Sequence, residues 1–345
     1  MRPPGLGKGC RVWRAADALL DYLAKIEGLV SIESSFPKAP TRRFLDAWGD
    51  ASIAKRGDPF RPLEPEIRVV QFGRMLAEEQ LFKAGRLIAD RPDVWLRVHL
   101  PKSPDLAFLK CFSGLRLLDL EIYDLESLDG MAHVRDSLEA FHFGKTRKVF
   151  PLRFLQDFPH LRNLFLGGHR KEIDVLGRLV DLKHLSLRGI TLPDLALILP
   201  LTRLRGLSIH LGGTRDLRLL PRLSELEELN MLRIAGLNDL SMLAELTELK
   251  TLTLDWLKNV TTLPSLAPLK HLETVSMETM KGLTSLGSIA AAPSLRSLQI
   301  VTMPQLKAAD FACLVGHPSL RVLMAYPGGK KVNGEIKRMF PGVAR

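Results

Sequence analysis

The segment LKTLTLDWLKNVTTL, residues 249–263, starts as a β-strand and then departs from that pattern. Leu252 and Leu254 have the alternating spacing of side chains that a strand turns toward a core, and Leu249 is a third candidate core residue. Asp255 and Trp256 follow at once. An acid beside a large aromatic at the end of an apolar strand raises the question of what these two side chains do there.

The pattern of this segment, apolar-x-x-apolar-x-apolar, recurs along the chain. Its twelve occurrences are IRVVQF (67), WLRVHL (95), LRLLDL (115), LEAFHF (138), LRNLFL (161), LKHLSL (182), LRGLSI (204), LEELNM (226), LKTLTL (249), LETVSM (272), LRSLQI (295) and LRVLMA (320). The starts are 20 to 28 residues apart, and most spacings are 21 to 23 residues. Such a period predicts stacked units, because one unit cannot bury its apolar edge alone.

With this motif and period, residues 67–326 resemble the short-repeat class of leucine-rich repeat proteins. The resemblance implies an α/β solenoid. Its curved parallel β-sheet would form the concave face, short irregular or helical crossovers the convex face, and helices would cap both ends. Known members of the class, which include bacterial surface invasins and a phosphatase regulatory subunit, are mostly binding proteins.

One position departs from the pattern of that family. The family places Asn or Cys three residues after the last leucine of the strand, whereas the residues here are Tyr123, Thr146, His169, Ile190, Gly212, Ile234, Leu257, Met280 and Met303. The usual ladder of buried asparagines is therefore absent. We expect apolar side chains to fill this layer in the later repeats.

The chain divides into three predicted parts. Residues 1–65 form an N-terminal extension, helical or partly ordered, with an amphipathic helix predicted over Trp13–Val30. Residues 66–326 form the repeat domain of about twelve repeats, and residues 327–345 form a C-terminal cap that contains a short helix at 333–340.

The crossovers carry their own signals. In the first unit, residues 73–90 read as a true amphipathic helix, with Leu81, Ala84 and Ile88 on one face. Several prolines in the later crossovers argue against long helices there.

Composition limits the class of protein. The net charge of +11 and the pI of about 9.7 make an acidic partner worth testing. Cys10, Cys111 and Cys313 are too far apart in sequence to suggest a disulfide framework or a zinc site. We see neither an export signal nor an apolar run of about 18 residues, so we expect a cytoplasmic protein with no membrane contact, monomeric by itself.

The third, fifth and seventh residues of each motif are predicted to face the concave surface. Asp255 and Glu278 then fall in one column, and Trp256 stands where its strand ends. Aromatic anchors beside charges are typical of protein–protein contacts. We therefore predict a contact patch for another protein, whose identity the sequence does not give. Its members are Phe165, His184, Arg188, His210, Glu228, Leu232, Asp255, Trp256 and Glu278. The competing interpretation is that Trp256 folds back over its crossover.

The second motif position is mostly basic and forms a basic rim. Its members include Arg116, Arg162, Lys183, Arg205 and Lys250. This rim offers an alternative function, a binder of nucleic acid or another anionic surface. We favour a solvated edge instead, because acids interrupt the rim and it lacks the interleaved aromatics of single-strand binders.

No catalytic signature is present. GLGKG at 5–9 does not fit a phosphate-binding loop, and the nine histidines show no metal-ligand spacing. His184 and His210 fall on adjacent strands but in different columns, without a nucleophile beside them. We expect no enzyme, no cofactor and no metal, but a non-catalytic protein–protein interaction module.

Overall fold

The computed structural model describes residues 44–46 and 68–343 of the chain. One parallel sheet of 13 strands, arranged in chain order, forms its framework. The strands are β1 Phe44–Asp46, β2 Val69–Phe72, β3 Trp95–Ser103, β4 Leu117–Leu125, β5 Ala140–Phe143, β6 Asn163–Gly167, β7 His184–Arg188, β8 Gly206–His210, β9 Glu228–Leu232, β10 Thr251–Asp255, β11 Thr274–Glu278, β12 Ser297–Val301 and β13 Val322–Tyr326.

Strands β2 to β13 are the twelve predicted motifs, so the predicted leucine-rich repeat architecture is confirmed. Strand β1 pairs in parallel with β2 and comes from a stretch in which we predicted no strand. The predicted helix Trp13–Val30 lies outside the described residues.

The strands stack with equivalent motif positions opposite each other. Asp255 pairs with Leu232 on one side and with Glu278 on the other, as the predicted columns require. Each strand with its crossover is therefore one rung of a ladder. Side-chain direction is set by this register, since a shift of one residue would reverse the faces of a strand.

The second motif was placed two residues too late. Leu96 pairs with Val70 and with Leu118, both at the fourth motif position, so this motif starts at residue 93 and not at 95. The spacings of 28 and 20 residues thereby become 26 and 22 residues, close to the common period. With the corrected start, Val98 still points into the core, but Leu96 moves from the second motif position into the core, and Trp95 moves to the outward third position, where it packs with Val69 and Ala140.

The motif leucines form one continuous core between the sheet and the crossovers. Leu252 and Leu254 are fully buried. The position three residues after the last strand leucine, where the family has asparagine, is filled by apolar side chains in the later rungs, as expected: Leu257, Met280 and Met303 are buried. Tyr123 is exposed instead, because β4 continues to Leu125 and turns this side chain outward.

The crossovers are short, as the prolines predict. They contain the 3₁₀ helices Ala107–Cys111, Asp129–Val134, Arg153–Asp157, Ile173–Arg178, Ala196–Ile198, Leu220–Arg222, Ser241–Glu245 and Ala308–Leu314, and the four-residue helix α2, Gly287–Ala290. Parallel strands require such crossovers, and about 16 residues per rung leave room for only a turn or two.

Two longer helices lie near the ends of the repeat domain, one in the crossover of the first unit and one after the last strand. Helix α1, Glu78–Ala89, buries Leu81, Ala84 and Ile88 as predicted, with Glu78 and Glu79 favourably placed in its first turn. It packs closely on the next rung: a Cβ on Gly85 would lie 1.8 Å from the carbonyl oxygen of Cys111.

Helix α3, Lys330–Met339, follows the last strand and is the predicted C-terminal helix. Its Ile336 side chain and the following Phe340 are buried in the common core. The backbone N–H of Leu323 in β13 donates to the carbonyl of Val343 at 3.0 Å. The helix thus covers leucines that the last rung would otherwise expose.

The burial of Leu252 gives a direct test of the register. We expect Leu252→Ala to lower the free energy of unfolding by about 2–5 kcal/mol, because it removes methyl groups and leaves a cavity. Chemical denaturation followed by circular dichroism measures this loss. Val180→Ala, at a side chain that is 49% exposed, is the control. A loss no larger than that of the control would contradict the register.

Candidate functional site

We call the edge of the sheet at the C-terminal ends of the strands, where the backbone leaves each strand, the exit edge. The residue after each strand, at motif position eight, has a left-handed backbone in seven successive rungs. The φ angles are 74° at Gly168, 65° at Gly189, 55° at Leu211, 49° at Arg233, 55° at Trp256, 55° at Thr279 and 52° at Thr302. Residues other than glycine adopt this conformation at a cost of about 1–2 kcal/mol.

A second ladder of backbone hydrogen bonds offsets part of the conformational cost of these left-handed residues. The backbone N–H at position eight donates to the carbonyl of the last strand residue in the next rung, as from Trp256 to Glu278 at 2.8 Å and from Thr302 to Tyr326 at 3.1 Å. The backbone of Trp256 therefore makes the turn out of the sheet. Its side chain stands 48% exposed at the exit edge.

Asp255 has a structural task. One of its carboxylate oxygens, Oδ1, accepts a hydrogen bond from the backbone N–H of Glu278 at 3.0 Å. The Asp255 side chain is only 3% exposed. The acid that precedes Trp256 thus holds the end of the neighbouring strand, which answers half of the question raised by the sequence.

The register places the members of the predicted contact patch in the expected columns, and their burial differs. Phe165, His210, Glu228 and Asp255 face the concave side yet are buried. Rungs about 4.8 Å apart cover each other's outward side chains, which sequence alternation alone does not reveal. The accessible members are His184, Arg188, Leu232, Trp256 and Glu278. Contact with a partner through these five stays a prediction.

The two concave histidines do not form a joint site. His184 Nδ1–H donates a hydrogen bond to Asn163 Oδ1 at 2.9 Å, and the ring lies over Gly206. Burial, helped by the nearby charges of Lys183 and Arg205, lowers the pKa of His184 to about 4. Burial also lowers the pKa of His210 to about 4, so both rings are neutral at pH 7.

The basic rim is largely neutralised by ion pairs between rungs. Arg116 donates two hydrogen bonds to Glu139, at 2.8 and 2.7 Å. Lys250 lies 3.0 Å and Arg205 3.7 Å from the carboxylate of Glu227. In the described part of the chain, Arg162 and Lys183 have no such partner. The acids that interrupt the rim thus compensate its charge.

Sequence reasoning missed a cluster on the first rungs, which we call the polar cluster: Arg97, Asp119, Glu121 and His142. Arg97 Nε lies 3.2 Å from Asp119 Oδ2, and His142 Nδ1 lies 3.0 Å from Asp119 Oδ1. The error in the second motif hid this cluster, because it placed Arg97 in the wrong column. With the corrected start, the fifth positions of three successive rungs read Arg97, Asp119 and His142.

Mutual charge controls ionisation in the polar cluster. Burial alone would raise the pKa of Asp119, but the neighbouring charges of His142 and Arg97 hold it below its usual value. Burial alone would lower the pKa of His142, but the carboxylates of Asp119 and Glu121 raise it above its usual value. The ring of His142 also packs against Phe165, with centroids 3.9 Å apart.

Three residue types that can bind a metal ion meet at this place. One ligand atom each from Asp119, Glu121 and His142 lies within 4.8 Å of the others. However, Arg97 and His142 already pair with Asp119, and a guanidinium beside a metal ion would repel it. The arrangement supports a self-compensated structural cluster better than a metal centre.

Comparison with known proteins identifies the class. No protein-family model matches the chain, and no curated protein matches its sequence. Among solved structures, an internalin from Listeria monocytogenes is 16% identical, with coverage of 93% of this chain and 94% of that chain and a TM-score of 0.51. A leucine-rich repeat protein from Leptospira interrogans is 18% identical, with coverage of 81% and 72% and a TM-score of 0.51.

These likenesses concern the fold: the chain is a leucine-rich repeat solenoid. Within the residues that the structure describes, every helix is too short or too polar to cross a bilayer.

The raised pKa of His142 predicts a pH dependence of stability. The protonated ring stabilises the folded state at low pH, and this contribution is lost as pH rises from about 6.5 through the folded pKa. We expect the difference in unfolding free energy between wild type and His142→Gln to be largest below about pH 6.5 and to shrink as the pH is raised above that value. Urea denaturation over a series of pH values measures it.

The matched control is His133→Gln, because His133 is an exposed histidine in a crossover. The lowered pKa values of His184 and His210 reduce stability as pH falls from about 6.5 toward 4, which is the opposite effect. Wild type and the His142→Gln variant both contain these two histidines, so the difference between their unfolding free energies cancels this effect. A difference that grows with pH would contradict the assignment.

Proposed function

We propose that this chain is a non-catalytic protein-interaction module that binds another protein through its concave face and exit edge. The observation that carries the proposal is the exposure of Trp256. This large aromatic stands at the end of a strand, and the fold does not require its side chain there. Trp presents a large contact area at a small entropic cost, and such residues dominate the energy of protein interfaces.

Other exposed apolar side chains on the concave face support a macromolecular partner. Met324 and Tyr326, on the last strand, are large apolar side chains that are 39% and 47% exposed on the same concave side. Twelve rungs at about 4.8 Å give a surface of roughly 55 Å. This length suits a folded protein or a long peptide better than a metabolite.

The alternative function, binding of nucleic acid by the basic rim, has weaker support. Arg116, Arg205 and Lys250 already pair with carboxylates of their own chain. Binding a phosphate backbone would require these pairs to open, which removes much of the gain from counterion release.

A cytoplasmic location remains part of our proposal, and the free thiols of Cys111 and Cys313 are consistent with it.

The proposal is tested by affinity capture from an extract of the producing cells. We expect Trp256→Ala to lower recovery of a specific partner at least about fivefold, as truncation of a central interface aromatic does. Val180→Ala, at a side chain of similar exposure, is the control and should recover the partner like wild type. Equal recovery by both variants would contradict the assigned surface.

Asp255→Lys is not a suitable probe of this surface. It would remove the acceptor of the Glu278 N–H and bury a positive charge, so lost binding would report a damaged fold.

A further inference from the structure

Three strained residues stand side by side on the exit edge. Leu211, Arg233 and Trp256 occupy the left-handed position in consecutive rungs, where Gly168 and Gly189 serve the two rungs before them. Glycine would adopt these φ angles without a steric cost. The backbone turn therefore does not call for large side chains at this position.

The core does not call for them either. Leu211 is 39% and Trp256 is 48% exposed, and Arg233 is exposed as well. Thr279, in the next rung of the same column, is buried and so has a packing role that these three lack. Strain held by exposed side chains is typical of positions with a function outside the core. We call Leu211, Arg233 and Trp256 the exit ridge.

The surroundings of the exit ridge are positive. Arg188 lies on β7, and Lys258 and Lys281 follow β10 and β11 by a few residues. In the described part of the chain, neither these three cations nor Arg233 forms an ion pair, in contrast to most cations of the basic rim. Glu278 is the accessible acid among them. The ridge thus combines apolar contact area with uncompensated positive charge.

We propose that the exit ridge and its surrounding cations form the docking surface for an acidic segment of the partner protein, one that carries apolar side chains between its carboxylates. Apolar groups of the segment pack on Leu211 and Trp256, and its carboxylates pair with Arg233, Lys258 and their neighbours. Nucleic acid fits less well, because the ridge has a single aromatic where single-strand binders stack several. This inference rests on the proposed function and names the chemistry of the partner.

The test uses the full chain and a fluorescein-labelled peptide of glutamates and leucines, about 12 residues long, which spans about 40 Å when extended. A peptide with lysine in place of glutamate and a single-stranded DNA of similar length are the comparison ligands. Fluorescence anisotropy at low and high salt measures binding. We expect the acidic peptide to bind, the lysine peptide to fail, and affinity to fall with salt.

Two variants locate the site. Arg233→Glu combined with Lys258→Glu should weaken binding of the acidic peptide at least about tenfold, whereas Arg162→Glu, a charge reversal on the basic rim, should leave it nearly unchanged. Trp256→Gly should also weaken binding while its denaturation midpoint does not fall, because glycine relieves the strain at φ 55°. Loss of binding in this variant cannot then be ascribed to unfolding.

Several results would overturn the inference: no binding of the acidic peptide, equal loss in Arg162→Glu, or tighter binding of DNA through the same residues. If the acidic peptide fails to bind while partner capture still depends on Trp256, only this inference is lost and the proposed function stands. If the peptide binds at the ridge but capture is unaffected by Trp256→Ala, the failure lies with the proposed function.

Discussion

The register of hydrogen bonds between neighbouring rungs is the constraint on which the molecule depends. It aligns equivalent motif positions from one strand to the next, so that Leu252 lies between Leu229 and Val275, and both Leu252 and Leu254 are fully buried. A single rung has too little apolar contact to hold its own conformation. Burial and backbone pairing therefore arise together, and only in the stack.

The same register fixes what happens at the exit edge. In seven successive rungs the backbone leaves the sheet through a left-handed residue whose N–H donates to the next rung, and Trp256 fills that position in its rung. Asp255 completes the turn by accepting the Glu278 N–H. Acid and aromatic thus have different tasks: the acid joins two rungs, and the aromatic presents a surface. Their adjacency follows from the geometry of the strand end.

Charge on this solenoid is likewise organised by the distance between rungs. The pairs Arg116–Glu139 and Arg97–Asp119 each join equivalent positions of neighbouring rungs, 23 and 22 residues apart in sequence. Such pairs neutralise the polar cluster and most of the charges of the basic rim. The cations around the exit ridge have no partner of this kind in the described residues. Net charge alone therefore does not locate the surface that attracts an anion.

The sequence alone determined the rungs and their columns, because a period of about 22 residues and an alternation of two residues follow directly from stacking and from strand geometry. It could not decide the start of the second motif, since Val98 points inward whether the motif starts at residue 93 or at residue 95. Only the tertiary structure showed that Phe165, His210, Glu228 and Asp255 are covered by their neighbours. Burial, left-handed turns and pairing between rungs depend on distances across the stack, which no single repeat contains.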